Sequence, residues 1–426
     1  MQRRTFVSAS LMGTSAAWAA ANDRVRTAVI GTGGRGHAHI ANILRASNTE
    51  IAIVCDPDST RMAHAASLIL EKTGKRPQEV ADVRKVLEDK SIDAVSIASC
   101  NHWHALGTIW ACQAGKHVLV EKPLCHNFDE GRKMVEAARK YGRIVQGGTQ
   151  RRSSGGYRKA IELLHQGVIG DIYLSRWTLI GMRKGIGHKP NAAPPADLAW
   201  DLWLGPAPQQ PYHANLVHYN WHWFWDFGGG EILNNGVHSH DISRWGMKKG
   251  LPARISSSGG RFAWNDQGQT PNTQTVTFDF ADGTQIVGEV RNHYTPNDER
   301  AWYFYGTKGA MKITDGGSGG PDNLKGAYEV YLNGSKKPEP DMGRLDDIDH
   351  HSNFFAAIRA GKREMLTDDV EELHLGTAPC LFANISYRLG RDLRFDAATQ
   401  RFTGDEEANR MLTRTGRAPF TVPAKV

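Results

Sequence analysis

The chain has 426 residues, with 52 lysines and arginines against 45 aspartates and glutamates, so its formal charge at pH 7 is +7. This charge is modest for the length, and the basic residues are scattered. The sequence therefore indicates neither a nucleic-acid-binding stripe nor a polybasic membrane anchor. A chain of this length can bury more than one hydrophobic core, and two or three domains are expected. After residue 21 no apolar segment is long enough to span a bilayer.

Residues 1–21 have the pattern of a signal peptide. Arg3 and Arg4 precede Phe6, and a short stretch of Ala, Ser, Leu and Gly runs into small residues around Ala19. A charged segment, a short apolar segment and a small-residue cleavage site are typical of export. The arginine pair resembles the twin-arginine signal, which exports folded proteins; the alternative is an ordinary Sec signal with a chance arginine pair. We expect a periplasmic or otherwise exported protein whose cofactor is loaded before export and tightly held.

The stretch from Val25 to Asp56 has the pattern of a dinucleotide-binding βαβ unit. An apolar strand enters a G-x-G-x-x-G turn, a helix-like stretch follows, and a second apolar strand ends at Asp56, twenty residues after the third glycine. An ordinary glycine-rich turn is the alternative, but strand, helix, strand and acid in register favour dinucleotide binding. We expect the pyrophosphate to bind at the helix N-terminus, on the turn residues Gly31, Gly33, Gly34, Arg35 and Gly36.

Asp56 bears on the choice between NAD and NADP. Its carboxylate is expected to accept hydrogen bonds from the adenosine ribose and to repel a 2′-phosphate. NAD is therefore the expected cofactor, while NADP stays possible because Arg35 and Arg61 are close in the sequence.

Strands and helices alternate over residues 22–148, which predicts an α/β fold with a doubly wound parallel sheet and a nucleotide-binding domain over this range. Ligands of such sheets lie at the carboxyl ends of the strands. The polar residues that follow the predicted strands there are Asn101, His102, His104, Glu121 and Lys122.

The pattern changes over residues 149–426. A Pro-, Gly- and Trp-rich region, about 185–230, is followed by strands joined through short turns, and two helices are predicted at His350–Ala360 and Val370–Arg388. Successive strands without intervening helices indicate a mainly antiparallel open sheet. We expect a substrate-binding α/β domain here.

Two features outside the glycine turn could carry chemistry. Lys122, in Glu121-Lys122-Pro123, would be partly desolvated at the sheet edge, which lowers the pKa of an amine and suits it to accept a proton from a hydroxyl. In a helix after Gly228–Gly230, Asn234, His238 and Asp241 would share one face at i, i+4 and i+7. A surface lysine at a strand end and a structural histidine are the alternatives.

Aromatic residues between the two parts suit a carbohydrate, because flat rings pack on the apolar faces of sugars. Trp221, His222 and Asp241 are candidate substrate contacts, and Arg151 could line the cleft or begin a solvated helix. No metal is expected, because four nearby histidines do not match a known zinc spacing: His213, His218, His222 and His238.

The glycine turn, Glu121-Lys122-Pro123, the glycine-rich turn before Asn234–His238 and Gly306-Thr-Lys-Gly309 together resemble the glucose-fructose oxidoreductase/inositol dehydrogenase/rhizopine-catabolism (Gfo/Idh/MocA) family over nearly the whole mature chain. The resemblance implies an N-terminal Rossmann domain, a C-terminal α/β domain whose open sheet often forms homo-oligomer contacts, and NAD(P)-dependent redox chemistry on sugars and cyclitols. The family's lysine carries over to Lys122 and its helix histidine to His238. Many members have aspartate where this chain has Asn234, which can hydrogen-bond a hydroxyl but cannot shuttle a proton.

Three functions remain open from the sequence. The first is an oxidoreductase acting on a sugar, glycoside or cyclitol hydroxyl. The second, an NAD-retaining glycoside hydrolase or lyase, works by oxidation, elimination, addition and reduction and suits a trapped cofactor, although its characteristic Tyr/His-rich segment is not clear here. The third is a non-catalytic NAD-binding protein.

Overall fold

A computed structural model of the chain describes residues 24–295, 300–316 and 324–426. These residues form two sheets, one of six strands and one of nine, with helices packed on them. The predicted signal peptide, residues 1–21, lies outside the described residues. Within the described ranges no helix is long and apolar enough to cross a membrane.

The first sheet is entirely parallel and has the strand order β3-β2-β1-β4-β5-β6. Its strands are β1 (Val25–Ile30), β2 (Thr49–Cys55), β3 (Gln78–Val80), β4 (Ala94–Ile97), β5 (His117–Val120) and β6 (Val145–Gly147). The connecting helices are α1 (Gly34–Arg45), α2 (Ser59–Thr73), α3 (Val83–Glu88), α4 (Asn101–Gln113) and α5 (Phe128–Lys140). This order is that of a doubly wound dinucleotide-binding sheet, and it confirms the predicted fold.

The second sheet has the order β13-β12-β11-β7-β10-β9-β8-β14-β15, and its pairs are antiparallel except β7 with β10. Its strands are β7 (Ile172–Ile180), β8 (Arg254–Gly260), β9 (Thr273–Asp279), β10 (Gln285–Arg291), β11 (Ala301–Gly306), β12 (Gly309–Thr314), β13 (Ala327–Leu332), β14 (Leu393–Asp396) and β15 (Arg401–Phe402). The mainly antiparallel sheet is as predicted.

The remaining helices are α6 (Gly155–His165), α7 (Trp200–Leu204), α8 (Val237–Met247), α9 (His350–Ala360), α10 (Val370–Leu389) and α11 (Glu406–Arg410). Short 3-10 turns lie at Gln150–Ser153, Asn220–Trp223 and Arg363–Met365, and a π-helical turn, Ile232–Gly236, runs directly into α8.

Helix α8 joins the second sheet to the site. One face of α8 packs on the second sheet. The indole N–H of the buried Trp302 donates a hydrogen bond to the Ser239 carbonyl at 2.8 Å, and the hydroxyls of Ser175 and Ser243 are 2.8 Å apart. These contacts fix the start of α8, and with it the π-helical turn.

Helix α9, from the C-terminal part of the chain, packs against the nucleotide-binding part. Phe354 and Phe355 of α9 are 1% exposed and join a core cluster with Val29 of β1 and Ile43 of α1. The C-terminal segment therefore returns to cover the nucleotide-binding sheet, which places the two halves of the cleft on a common core.

Candidate active site

A cavity of about 570 Å³ runs along the carboxyl edge of the first sheet and reaches the π-helical turn. Both parts of the chain line it. Of the cofactor residues predicted from sequence, those on its wall are Gly31, Gly33, Gly34, Arg35, Asp56, Asn101, His104, Glu121 and Lys122, and the predicted catalytic residues Asn234 and His238 lie on the same wall.

The glycine turn has the geometry that a pyrophosphate site requires. Gly31 has a φ of +84°, and a Cβ there would lie 2.6 Å from the backbone of Ala98 and Ser99. At Gly36 a Cβ would lie 2.0 Å from the Gly31 carbonyl oxygen, so this glycine permits close packing of α1 behind the turn and does not itself line the cavity. Among the described residues the N-cap Gly33 makes no side-chain capping hydrogen bond, and the N-terminus of a helix in this setting suits a phosphate.

Asp56 is held at the end of β2 by three hydrogen bonds. Its carboxylate accepts from the Thr32 N–H at 2.7 Å, the Thr32 hydroxyl at 3.1 Å and the Asp58 N–H at 3.0 Å. Burial raises the pKa of Asp56, while the bonds from Thr32 lower it. Because each carboxylate oxygen can accept more than one bond, acceptor capacity remains for ribose hydroxyls.

The wall also carries a buried polar atom that suits a ligand. Asn101 is 4% exposed, and its side-chain oxygen has no hydrogen-bond partner among the described residues. The glycine turn, the uncapped α1, Asp56 and this oxygen together fit an NAD-type dinucleotide.

Glu121 lies between the nucleotide end and the substrate end of the cavity and is held there by several hydrogen bonds. Its carboxylate accepts from Arg35, from His39 at 3.0 Å and from Gln150 at 3.1 Å. Burial alone would raise the pKa of Glu121, but the Arg35 charge and the His39 hydrogen bond outweigh it and hold that pKa well below its ordinary value. A fixed negative charge therefore lies beside Lys122.

Lys122 bridges the two halves of the chain, since its amine donates a hydrogen bond to the main-chain carbonyl of Asn234. Burial lowers the pKa of Lys122, against the opposing influence of Glu121. Behind it His104 contacts the Pro123 carbonyl at 2.7 Å and the Ser99 carbonyl at 3.1 Å, which fixes the lysine's main chain.

His238, in the first turn of α8, faces the same cavity. Burial, reinforced by the charges of Arg151 and Lys122, holds the pKa of His238 well below its ordinary value, so the ring is neutral at physiological pH. Its Nδ1 is buried without a hydrogen-bond partner among the described residues. A neutral imidazole beside a partly desolvated amine can accept a hydrogen bond or a proton.

The far end of the cavity includes residues that the sequence patterns did not single out. Arg183, Tyr219 and Asn235 line it beside Asn234 and the predicted Trp221. Beneath them lies Glu231, which is 2% exposed. The sequence signal for Glu231 was a lone carboxylate directly after three glycines, in an otherwise apolar stretch; Arg183 carried none beyond its place shortly after a strand.

Two weaker predictions, for Arg151 and His222, need qualification. Arg151 does not line the cavity but pairs with Asp315 at 2.9 Å and affects the site through its charge. His222 is buried behind the wall, with Nδ1 2.7 Å from the Tyr219 carbonyl. The structure gives neither side chain a place on the cavity surface.

The structure does not give Asp241 the predicted contact with a substrate. Its carboxylate is 1% exposed and accepts two hydrogen bonds of 2.8 Å from the Arg152 guanidinium, so it is a buried ion-pair partner and not a substrate contact. Asn234 lies in the π-helical turn, which interrupts the 3.6-residue period assumed for the i, i+7 alignment.

A strap, residues 195–219, crosses the adenosine side of the cavity. Asp197 and Ala199 form main-chain hydrogen bonds of 2.9 and 2.8 Å to Ser59 and Pro57. The Asp197 carboxylate also accepts from the Thr60 hydroxyl at 2.7 Å, and His218 lies 2.9 Å from the Asp58 carboxylate. The strap therefore covers the start of α2 beside Asp56. No group of three or more metal-ligating side chains occurs in the part of the chain that the structure describes.

Comparison with known proteins agrees with this geometry. The Gfo/Idh/MocA family model for an NAD-binding Rossmann fold matches residues 25–149, and the family's C-terminal alpha/beta domain matches residues 175–422. Inositol 2-dehydrogenase 3 of Saccharopolyspora erythraea is 36% identical over 34% of this chain and 42% of its own length. The scyllo-inositol 2-dehydrogenase (NAD(+)) of Bacillus subtilis is 29% identical over 52% of this chain and 54% of its own length.

These alignments thus span about half, or less, of the two relatives. Among solved structures, the WlbA dehydrogenase from Bordetella pertussis in complex with NADH and UDP-GlcNAcA has a TM-score of 0.65 at 18% identity, over 88% of this chain and 99% of that one, which shows the shared fold. With its Rossmann sheet and its C-terminal α/β part both matched, the chain belongs to the Gfo/Idh/MocA family of NAD-binding oxidoreductases.

Proposed function

We propose that the protein oxidises a hydroxyl of a sugar, glycoside or cyclitol, with Lys122 as the base. The observation that carries the proposal is that Lys122, Asn234 and His238 line the same cavity as the nucleotide turn. A nicotinamide bound there supplies a hydride acceptor. The hydroxyl proton passes to the neutral Lys122 amine as the C–H electron pair leaves the same carbon, which becomes a carbonyl.

Each residue has a distinct part in this proposal. Burial makes the neutral form of Lys122 accessible, and its hydrogen bond to the Asn234 carbonyl holds the amine at the substrate end. His238, neutral at physiological pH, provides a second group that can accept a proton, so the imidazole shares the proton transfer with Lys122. Asn234 offers an amide that orients the substrate without taking part in proton transfer.

We also propose that the nucleotide is tightly held. The strap adds hydrogen bonds across the adenosine side, and all of them must open before a dinucleotide can leave by that route. Retention would suit an exported enzyme, and export through a twin-arginine signal stays a prediction because residues 1–21 lie outside the described ranges. Homo-oligomer formation through the nine-stranded sheet also stays a prediction.

The test begins with the protein as purified. The nucleotide released on denaturation is identified by mass spectrometry, and sugars, cyclitols and nitrophenyl glycosides are then supplied without added NAD. The proposal expects bound NAD or NADP and, because no other oxidant is supplied, one keto product for each bound nucleotide that becomes reduced. It expects Lys122→Met to keep the nucleotide and lose turnover, and Lys72→Met, an exposed lysine on α2, to behave as wild type.

Other outcomes would contradict the proposal in distinguishable ways. Release of nitrophenol without net reduced nucleotide would instead support an NAD-retaining glycoside hydrolase or lyase. Bound nucleotide with no turnover of any compound would favour a non-catalytic NAD-binding protein. Turnover that survives Lys122→Met would remove the assigned base.

A further inference from the structure

The carboxylate beneath the substrate end of the cavity has an unusual set of partners. Glu231 directly precedes the π-helical turn and is 2% exposed. It accepts hydrogen bonds from the Asn235 amide at 2.5 Å, the Arg183 guanidinium at 3.2 Å and the Asn234 amide at 3.3 Å. All three donors belong to residues on the cavity wall. One buried carboxylate therefore holds three separate wall residues.

The bond to Asn234 determines which atom of that amide can meet a substrate. An ionised carboxylate only accepts hydrogen bonds, so the Asn234 NH₂ group must be the one that faces Glu231. The side-chain oxygen is then the atom left to accept a bond from a substrate hydroxyl. Without Glu231 the amide could present either group.

Arg183 extends the same arrangement to Tyr219, another residue of the cavity wall. Its guanidinium also contacts the Tyr219 hydroxyl at 3.0 Å and lies 5.8 Å from the centre of the Tyr219 ring. Tyr219 is at the end of the strap. Glu231 thus connects the floor of the substrate end with the segment that covers the cavity.

The carboxylate also affects the groups that transfer protons. Burial lowers the pKa of Lys122, and the negative charges of Glu121 and Glu231 act in the opposite direction. The other charged groups facing the amine are Arg35 and Arg151, which lower that pKa. Position 234 of this chain carries the uncharged Asn234, and a carboxylate, Glu231, lies three residues earlier.

We propose that Glu231 is the positioning residue of the substrate site: it fixes the Asn234 side-chain oxygen as an acceptor for a neutral substrate hydroxyl, holds Arg183 and Tyr219 in place, and supplies the negative charge that position 234 lacks. This inference rests on the proposed oxidation through Lys122. It assigns Glu231 no contact with the reacting atoms.

The test replaces Glu231 by Gln, which keeps the size of the side chain and removes the charge. The amide NH₂ of the new glutamine would face the NH₂ group of Asn234 or Asn235, and two donors cannot hydrogen-bond each other. We therefore expect KM for an accepted sugar to rise about tenfold, which is the scale of a lost hydrogen bond to a charged group. The change in kcat should be smaller. Glu289→Gln, a carboxylate on the second sheet that also pairs with arginines, is the matched control and should leave KM unchanged.

A second readout needs no turnover. Competitive acetylation followed by mass spectrometry measures the pKa of Lys122 in the nucleotide-loaded protein without sugar. Loss of the Glu231 charge should lower that pKa in Glu231→Gln, so the limb of kcat/KM that rises with pH should move to lower pH. The double variant Glu231→Gln/Asn234→Asp, which exchanges carboxylate and amide, should move both back towards wild type.

The outcomes separate this inference from the proposed function. Loss of activity in Lys122→Met, together with an unchanged KM and Lys122 pKa in Glu231→Gln, would overturn the role of Glu231 alone. Activity that survives Lys122→Met would overturn the base itself. If Glu231→Gln does not fold, Glu231→Asp keeps the charge but shortens the reach. The inference then expects weaker sugar binding with an unchanged Lys122 pKa, and unchanged binding would contradict it.

Discussion

The amine of Lys122 donates a hydrogen bond to the main-chain carbonyl of Asn234, 112 residues later in the chain. The lysine follows the fifth strand of the nucleotide-binding sheet, and the carbonyl belongs to the π-helical turn that leads into α8, the helix packed on the second sheet. This contact joins the two halves of the site, and π-helical turns of this kind occur frequently at functional sites.

The glycine turn can be tested with two neighbouring substitutions. Gly31→Ala introduces a side chain at a φ of +84° and 2.6 Å from the Ala98 backbone, whereas no atom of the described residues lies within 4 Å of a Cβ at Gly34. We expect Gly31→Ala to lose about 1–3 kcal/mol of stability and its bound nucleotide, and Gly34→Ala to fold normally. Thermal unfolding and nucleotide content measure both. Equal nucleotide content in the two variants would contradict the assigned turn.

His238 and His240 form a matched pair on α8. His238 faces the cavity, whereas the His240 ring packs against Phe278 with ring centres 4.5 Å apart. His238→Asn should reduce kcat about 10²-fold or more, as expected for loss of an acid–base group. His240→Asn should lower stability but leave kcat of the loaded, folded protein near wild type. Similar kcat values in the two variants would argue against a role for His238 in proton transfer.

Asp368 should make stability depend on pH. It is fully buried near Arg152 and Asp241, and burial raises its pKa from 3.8 to about 7. Between these values the folded state binds a proton that the unfolded state has released, so the free energy of unfolding should fall as pH rises from about 4 to about 7. Denaturant unfolding over this range should show a shallower fall for Asp368→Asn. The exposed Asp171→Asn should match wild type, and equal slopes in all three proteins would contradict the shift.

The strap should slow release of the nucleotide. Asp197→Ala removes the hydrogen bond to Thr60, and adding His218→Ala removes the contact with Asp58. We expect the double variant to release bound nucleotide faster than wild type, because both contacts must open before the nucleotide can leave past the strap. Dilution into nucleotide-free buffer with fluorescence detection gives the rate. Glu71→Ala, exposed on α2, should release nucleotide as wild type does, and an unchanged double variant would exclude the strap as the barrier.

Features formed by residues close together in the sequence could be predicted, whereas features formed by distant residues could not. The turn from Gly31 to Gly36 was predictable because its constraints arise within one strand and one helix. Helix α9 was predicted at its observed bounds, His350–Ala360, where Asp349 caps one end and Gly361 has a positive φ at the other. Local patterns of this kind carry their own boundary signals.

The rest depended on pairs that are distant in sequence. Asp241 forms an ion pair with Arg152, 89 residues earlier, and no spacing within α8 reveals that partner. Glu231 and Arg183 are 48 residues apart, and the strap contacts Thr60 across 137 residues. A periodic pattern predicts which face of an element is polar, but the partner that occupies that face is set by tertiary packing.

The most direct test of the central claim is a single-turnover measurement on the protein with its own nucleotide. Wild type and Lys122→Met, loaded to the same extent, are mixed with an accepted sugar, and the absorbance of reduced nicotinamide is followed. The account predicts rapid reduction in wild type and a rate lower by about 10²–10⁴-fold in the variant. Equal rates at equal loading would contradict the assignment of Lys122 as the base.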